Sequence, residues 1–238
     1  MTSLRRLTVL FVIALFVLAG CGSSDDKSDS SSKDSSASKG ECSYPKHTGG
    51  GVAREVDPPP SKPVTEKATR ATITTNQGVI PVTLDGDKTP CTVNSFLSLA
   101  KQGYFDKTPC HRLTSGGLYV LQCGDPSATG TGGPGYSFKD ELIDNDPRLQ
   151  PCTSQTDPQS GKQVCTYPGG TLAMANSGPD TNGSQFFLVY RDSPLPAAYT
   201  PFGQMNAAGL KVVRDIAAKG IAADGTAPKE PVTITSVK

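Results

Sequence analysis

The chain has 238 residues, enough for one or two domains. Its formal net charge of +1 offers no strong field to nucleic acid or an acidic substrate. Hydrophobic residues make up 35%, a low share for a whole globular chain, so a polar segment must dilute the core.

In chain order, Arg5 and Arg6 precede an apolar stretch, residues 7–19, too short to span a bilayer comfortably. Leu18-Ala19-Gly20-Cys21 follows and resembles a bacterial lipobox. Residues 1–20 are therefore expected to be a signal peptide. Cys21 is expected to be a lipidated N-terminus that anchors the protein to the outside of a bacterial cell membrane. The alternative is an ordinary signal peptide whose cleavage site precedes a cysteine. Several acyl chains on one cysteine anchor stably, whereas one chain binds marginally. Residues 22–39 are Ser, Asp and Lys almost throughout, and residues 56–64 contain Pro58-Pro59-Pro60 and Pro63. Residues 21–67 thus read as a disordered tether that cannot bury a core, and the folded domain as residues 68–238.

Residues 69–75 and 79–84 read as two strands around Asn76-Gln77-Gly78. Thr89-Pro90 can open a helix whose face carries Val93, Phe96, Leu97 and Ala100, with Gly103 ending it. Residues 109–113, 119–123, 171–175, 186–190, 202–205 and 232–237 are further strands. Residues 210–219 form a second helix striped by Leu210, Val213 and Ala217. Many short strands, glycine-rich turns and two helices argue for a mainly β fold, a closed antiparallel barrel, rather than alternating βαβ units.

Setting Cys21 aside from the seven cysteines leaves six, an even count that suggests disulfides in an exported chain. Cys152 and Cys165 flank a polar loop holding Asp157-Pro158 and Ser160-Gly161, and are expected to pair. Cys42, Cys91, Cys110 and Cys123 allow three pairings. Strand parity weighs against joining Cys110 to Cys123: Cys110 is in step with Arg112, whereas Cys123 is out of step with Gln122.

Several chemistries find no support. Gly130-x-Gly132-x-x-Gly135 matches the dinucleotide fingerprint, but it does not follow a strand and open a helix, and Pro134 interrupts it. No phosphate-loop lysine pattern, nucleophile elbow or zinc-type cysteine spacing occurs, and the two histidines are His47, in the tether, and His111. No metal or cofactor is expected.

The run LAMANSGPDTNGSQFFL, residues 172–188, sets Asn176 and Gln185 among apolar residues, the composition of a small hydrophobic pocket with a few placed polar groups. Upstream lie Cys110-His111-Arg112, Gln122-Cys123-Gly124-Asp125 and Gly130-Thr131-Gly132-Gly133, and downstream Phe202-Gly203. Together, in this order and spacing, these motifs resemble the cyclophilin family of peptidyl-prolyl cis-trans isomerases over roughly residues 68–237. The resemblance implies an eight-stranded barrel capped by a helix at each end, with residues 140–169 longer than usual and containing a cysteine-stapled insertion. It implies that Arg112, Gln122 and Asn176 are catalytic. It places His111, Tyr119, Val120, Ala175, Ser177, Gln185, Phe187, Leu195, Tyr199 and Phe202 around a bound peptide, Phe202 at the pocket floor and Gln185 supporting the loop. The partners implied are proline-containing polypeptides, the client proteins of an export-side folding helper; the sequence carries no oligomer signal, and a monomer is the default expectation. A catalytically weak proline-peptide binding module is the alternative.

The chain departs from the family pattern in places. The segment between Arg112 and Tyr119 is two residues longer than usual, Tyr119 stands where Phe is usual, Val120 where Met is, and Tyr199 where His is frequent. Pro194 occupies a position where many eukaryotic members carry Trp, and this chain has none. Weak binding of cyclosporin-type inhibitors is expected; a submicromolar Kd by calorimetry would overturn that.

Overall fold

A computed structural model describes residues 40–47, 51–149 and 151–238. The signal peptide, Cys21 and the Ser/Asp/Lys run to residue 39 lie outside the described residues.

Strands β1 (Ala68–Thr75) and β2 (Gly78–Asp85) pair antiparallel from Ala68↔Asp85 to Thr75↔Gly78. Their inward residues alternate, Ala71 and Ile73 on one strand and Ile80, Val82 and Leu84 on the other, as a half-buried sheet requires. Gly78 closes the turn at φ +142°, and a Cβ there would press on the Val212 methyls at 3.0 Å.

Helix α1 (Pro90–Lys101) starts with proline in its first turn. Thr89 makes no side-chain cap; instead the Glu141 carboxylate accepts the Cys91 and Thr92 backbone N–H groups at 3.0 and 2.8 Å. Strands β3 (Thr108–Pro109), β4 (Arg112–Leu113), β5 (Val120–Cys123), β6 (Val164–Tyr167), β7 (Thr171–Met174), β8 (Phe186–Val189), β9 (Ser193–Pro196) and β10 (Pro201–Met205) follow. Helix α2 (Ala207–Ala218) begins three residues before the expected 210, because Asn206 accepts the Gly209 N–H at 2.8 Å and so caps it. Strand β11 (Thr233–Val237) closes the chain order.

The expected closed, eight-stranded barrel is corrected to a curled sheet of nine antiparallel strands that forms a half-barrel, ordered β3-β11-β1-β2-β10-β7-β8-β5-β4, with a separate two-stranded sheet, β6-β9. Its two edges, β3 and β4, are separated in the chain only by Cys110 and His111, which leave strand geometry. The expected single strand over 109–113 is therefore two strands on opposite edges. Chain, not a hydrogen-bonded ladder, crosses this seam.

Inside the sheet, Phe96, Phe105, Phe186 and Phe202 form a cluster with ring centroids 5.1–6.5 Å apart, all at most 3% exposed. Each such burial contributes about 1.5–3 kcal/mol. Phe202 belongs to this cluster on the core side.

Residues 40–47 and 51–67 correct the expected tether: they form a strap against the domain. Cys42 is bonded to Cys91, and the Cys42 N–H reaches the Ser61 carbonyl at 2.7 Å. Asn94 of α1 accepts the Val64 N–H at 3.0 Å and donates to the Pro60 carbonyl at 2.8 Å. Arg54 donates to the carbonyls of Gly103 and Tyr104 with its guanidinium 5.9 Å from the Tyr104 ring. The strap explains why polar Asn94 of α1 is buried, while Glu141 and Tyr136 satisfy its buried neighbours Thr92 and Ser95.

Cys152 pairs with Cys165, the pair its turn-rich loop suggests. Cys110 pairs with Cys123, against the parity argument, with Cα atoms 4.0 Å apart. Parity holds only along a continuous strand, and the chain turns at Cys110-His111 before β4 begins.

Candidate active site

Register brings the polar residues together. In the β4–β5 pair Arg112 lies opposite Gln122, so both side chains leave the same face. Arg112 donates to Gln122 Oε1 at 3.2 Å. Gln122 Nε2 donates to Gln185 Oε1 at 2.9 Å, and Gln185 Nε2 donates to the Gly130 and Gly132 carbonyls at 2.9 and 3.0 Å. This row of amides fixes the guanidinium at one point while its other N–H groups stay available. Arg112 is exposed and enters no ion pair among the described residues.

The row ends on a carboxylate. Asp125, fully buried, accepts the backbone N–H groups of Ser127, Gly130 and Gly132 and the Ser127 hydroxyl at 2.6–3.0 Å. Burial alone would raise its pKa; the Ser127 hydroxyl and the three backbone donors outweigh that and hold it below the ordinary carboxylate value.

Beside Arg112 and Gln122 opens a cavity of about 280 Å³. Its apolar walls are Leu118, Val120, Phe187, Leu195 and Ala175, and its polar lining adds Asn176 and Tyr199. Phe187 stands edge-on to Tyr199 at 5.7 Å. Behind them Tyr167 of β6 is fully buried; its hydroxyl donates to the Tyr199 carbonyl at 2.8 Å and accepts the Tyr199 N–H at 3.3 Å. The β6–β9 register, Cys165↔Leu195, ties Leu195 to the same support.

Other expected residues sit differently. The Asn176 amide is engaged within the protein, donating to the Ala198 carbonyl between β9 and β10 at 2.9 Å and accepting the Gly178 N–H of its own loop at 3.3 Å. Ser177 lines the cavities on either side of the pocket rather than the pocket itself. Tyr119, expected in the wall, points away: it packs on Tyr190 at 5.7 Å, under Arg191, and Leu118 takes the wall position. Counting back by twos from Gln122 gives Val120 and Leu118, so strand parity held the signal. Phe202, expected at the floor, is in the aromatic core instead, because β10 turns that side chain inward. His111 does not line the pocket; it is half-buried, and neither ring nitrogen has a partner among the described residues. Burial holds its pKa below the usual histidine value, against the pull of Asp125 and with a push from Arg112, so the ring is neutral at neutral pH. Tyr167 was not anticipated. Among the described residues no cluster of three or more His, Cys, Asp or Glu could hold a metal ion.

Two larger cavities flank the pocket. One, of about 420 Å³, lies over the glycine loop and shares Gln122, Ala175 and Asn176 with it. The other, of about 690 Å³, shares Asn176 and Tyr199.

Comparison with known proteins agrees with this geometry. Residues 70–238 match the family described as cyclophilin type peptidyl-prolyl cis-trans isomerase/CLD. A protein named probable peptidyl-prolyl cis-trans isomerase B from Mycobacterium leprae is 49% identical over 210 residues, covering 83% of this chain and 66% of that protein. Its namesake in Mycobacterium tuberculosis is 50% identical over 200 residues, covering 82% and 63%. This chain thus spans a little under two thirds of the length of these relatives. A cyclophilin type isomerase of Cryptosporidium parvum, solved also in the presence of the dipeptide Ala-Pro, aligns at a TM-score of 0.56 with 28% identity, covering 71% of this chain and 96% of that one. The chain therefore belongs to the cyclophilin-type peptidyl-prolyl cis-trans isomerase family.

Proposed function

We propose that this chain catalyses rotation about X-Pro peptide bonds. The observation that carries the reading is an apolar pocket for a proline ring with a guanidinium on its rim that Gln122 fixes and that enters no ion pair among the described residues. The X-Pro bond prefers trans by only about 0.5–1 kcal/mol, yet the barrier is about 18–20 kcal/mol. That barrier is resonance between the carbonyl and the proline nitrogen. As the amide twists, the nitrogen regains its lone pair and becomes a hydrogen-bond acceptor. A cation beside it binds the twisted amide more tightly than the planar one, which is what lowers a barrier. Phe187, Leu195, Val120 and Leu118 hold the ring, Arg112 supplies the donor, and Gln122 aims it. No nucleophile or proton transfer enters, consistent with a neutral His111 outside the pocket.

The substrates would be proline-containing polypeptides; the Ala-Pro dipeptide present with the Cryptosporidium relative supports this. We further propose that the protein works outside the cytoplasm, lipid-anchored through Cys21, and assists the folding of exported chains. The three disulfides support an oxidising compartment, and the apolar run before Cys21 supports export. Uncatalysed proline isomerisation takes tens of seconds or more, slow enough to limit folding.

The test is exchange NMR on an Ala-Pro peptide with wild type and Arg112→Ala. Catalysed exchange that the variant loses supports the enzyme. Peptide affinity without catalysed exchange in wild type would replace it with a binding module. Metabolic labelling with palmitate, lost in Cys21→Ser, tests the anchor.

A further inference from the structure

The cavity of about 690 Å³ is walled on its outer side by the stapled hairpin, through Asp157, Ser160 and Lys162, and floored by the loop from Asn176 to Asp180. It adjoins the proline pocket, with Asn176 and Tyr199 lining both. The hairpin is tied to the pocket wall: Cys165 lies opposite Leu195, and the Ala197 N–H donates to the Gln163 carbonyl at 2.9 Å. One element thus backs the proline pocket with its strand and overhangs the neighbouring cavity with its tip.

The lining has two characters. Leu142, Pro179, Pro196 and Ala198 offer apolar surface. Asp140, Asp157 and Asp180 bring three carboxylates against the single cation Lys162, and none of the three forms a salt bridge among the described residues. Asp140 is engaged by Asn182 and by the Asp180 N–H, Asp180 accepts the Asp140 N–H at 2.9 Å in return, and Asp157 accepts the Ser160 N–H and hydroxyl of its own turn. An apolar trough ending in carboxylates suits a long side chain with an aliphatic stem and a cationic head. The cavity on the opposite side of the proline pocket carries no carboxylate in its lining.

We propose that the hairpin builds a second peptide subsite, which takes a Lys or Arg side chain lying close to the proline of a bound polypeptide. An extended peptide advances about 3.3 Å per residue, so a residue one or two positions from the proline reaches this cavity. The stem lies along Pro196 and Pro179, and the head meets Asp157 and Asp180. Because the carboxylates lie on one side of the pocket, the charge preference is confined to one side of the proline. This proposal rests on the prolyl-peptide reading above.

The test uses peptides with a central Ala-Pro and Lys, Ala or Glu at each of the two positions before and after it. Exchange NMR gives kcat/KM, and fluorescence anisotropy gives Kd. On one side only, Lys should exceed Glu by about three- to tenfold, as for one or two partly screened ion pairs. The ratio should shrink at high salt. In Asp157→Asn/Asp180→Asn it should fall to about one, and Asp157→Lys, a change on an exposed loop, should reverse its sign. A ratio near one at every position overturns the subsite, as does an equal preference on both sides or one that survives Asp157→Lys. Turnover of the Ala peptide reports separately on the isomerase reading. If that turnover is absent, a Lys-over-Glu difference in Kd still decides the subsite.

Discussion

The two walls of the proline pocket are held in place by different physics. The polar wall is a chain of hydrogen bonds, Arg112 to Gln122 to Gln185 to the glycine loop, anchored on the buried Asp125 carboxylate. The apolar wall is a packed block, with Phe187 against Tyr199 and both against Tyr167, clamped by the β6–β9 ladder. Aim comes from the first and shape from the second. Damage to the first should therefore appear in rate, and damage to the second in stability and affinity.

The largest effect is expected from Phe187→Ala. Emptying this buried position should cost about 3–5 kcal/mol in denaturant unfolding and remove measurable peptide binding. Arg112→Ala comes next: it should lower kcat/KM about a hundredfold, mostly through kcat, as for loss of one transition-state donor. Its thermal midpoint should barely move, because the side chain is exposed and forms no ion pair among the described residues. If instead Arg112→Ala raised KM alone, the division between the walls would fail. Tyr167→Phe deletes only the hydroxyl that pairs with the Tyr199 backbone. It should cost about 1–2 kcal/mol of stability and raise KM more than it lowers kcat.

The smallest effect is a pH dependence on the polar side. The Asp125 carboxyl is depressed in the folded protein, so its contribution is fully present above the ordinary carboxylate pKa of about 4 and is lost as pH falls through the lowered folded value. Between neutral pH and pH 3, wild type should therefore lose more thermal stability than Asp125→Asn, followed by circular dichroism. Equal losses would show that the glycine loop does not draw on that charge.

The polar wall was legible in the sequence because Arg112 and Gln122 sit in recognisable motifs and their strands pair in register. The apolar wall was legible only in part. Leu118 could have been found by counting alternate residues from Gln122, but the family resemblance puts an aromatic in the wall, and Tyr119 is the aromatic that follows the lengthened segment after Arg112. Strand β9 reads Ser193-Pro194-Leu195-Pro196, and two prolines argue against a strand; it is tolerated because β9 pairs with β6 alone, leaving its other edge free of ladder bonds. The strap has no hydrophobic period, and its prolines suggest a spacer. What fastens it is a distant disulfide and bonds to Asn94, neither of which local pattern can reveal. Cys110 escapes parity with Arg112 for a related reason: β3 and β4 are two edges of the sheet, not one strand.

That seam also sets a schedule. Strand β3 pairs only with β11, which is also the neighbour of β1, so the first and last strands of the domain lie side by side. An emerging chain can form the β1–β2 hairpin early but cannot seat β3 until its final residues are present. Long-range closures of this kind are the slow ones. Arg112, separated from β3 only by Cys110 and His111, would thus stand beside an unfinished edge until β11 had been made and paired, so its surroundings are among the last parts of the domain to be completed.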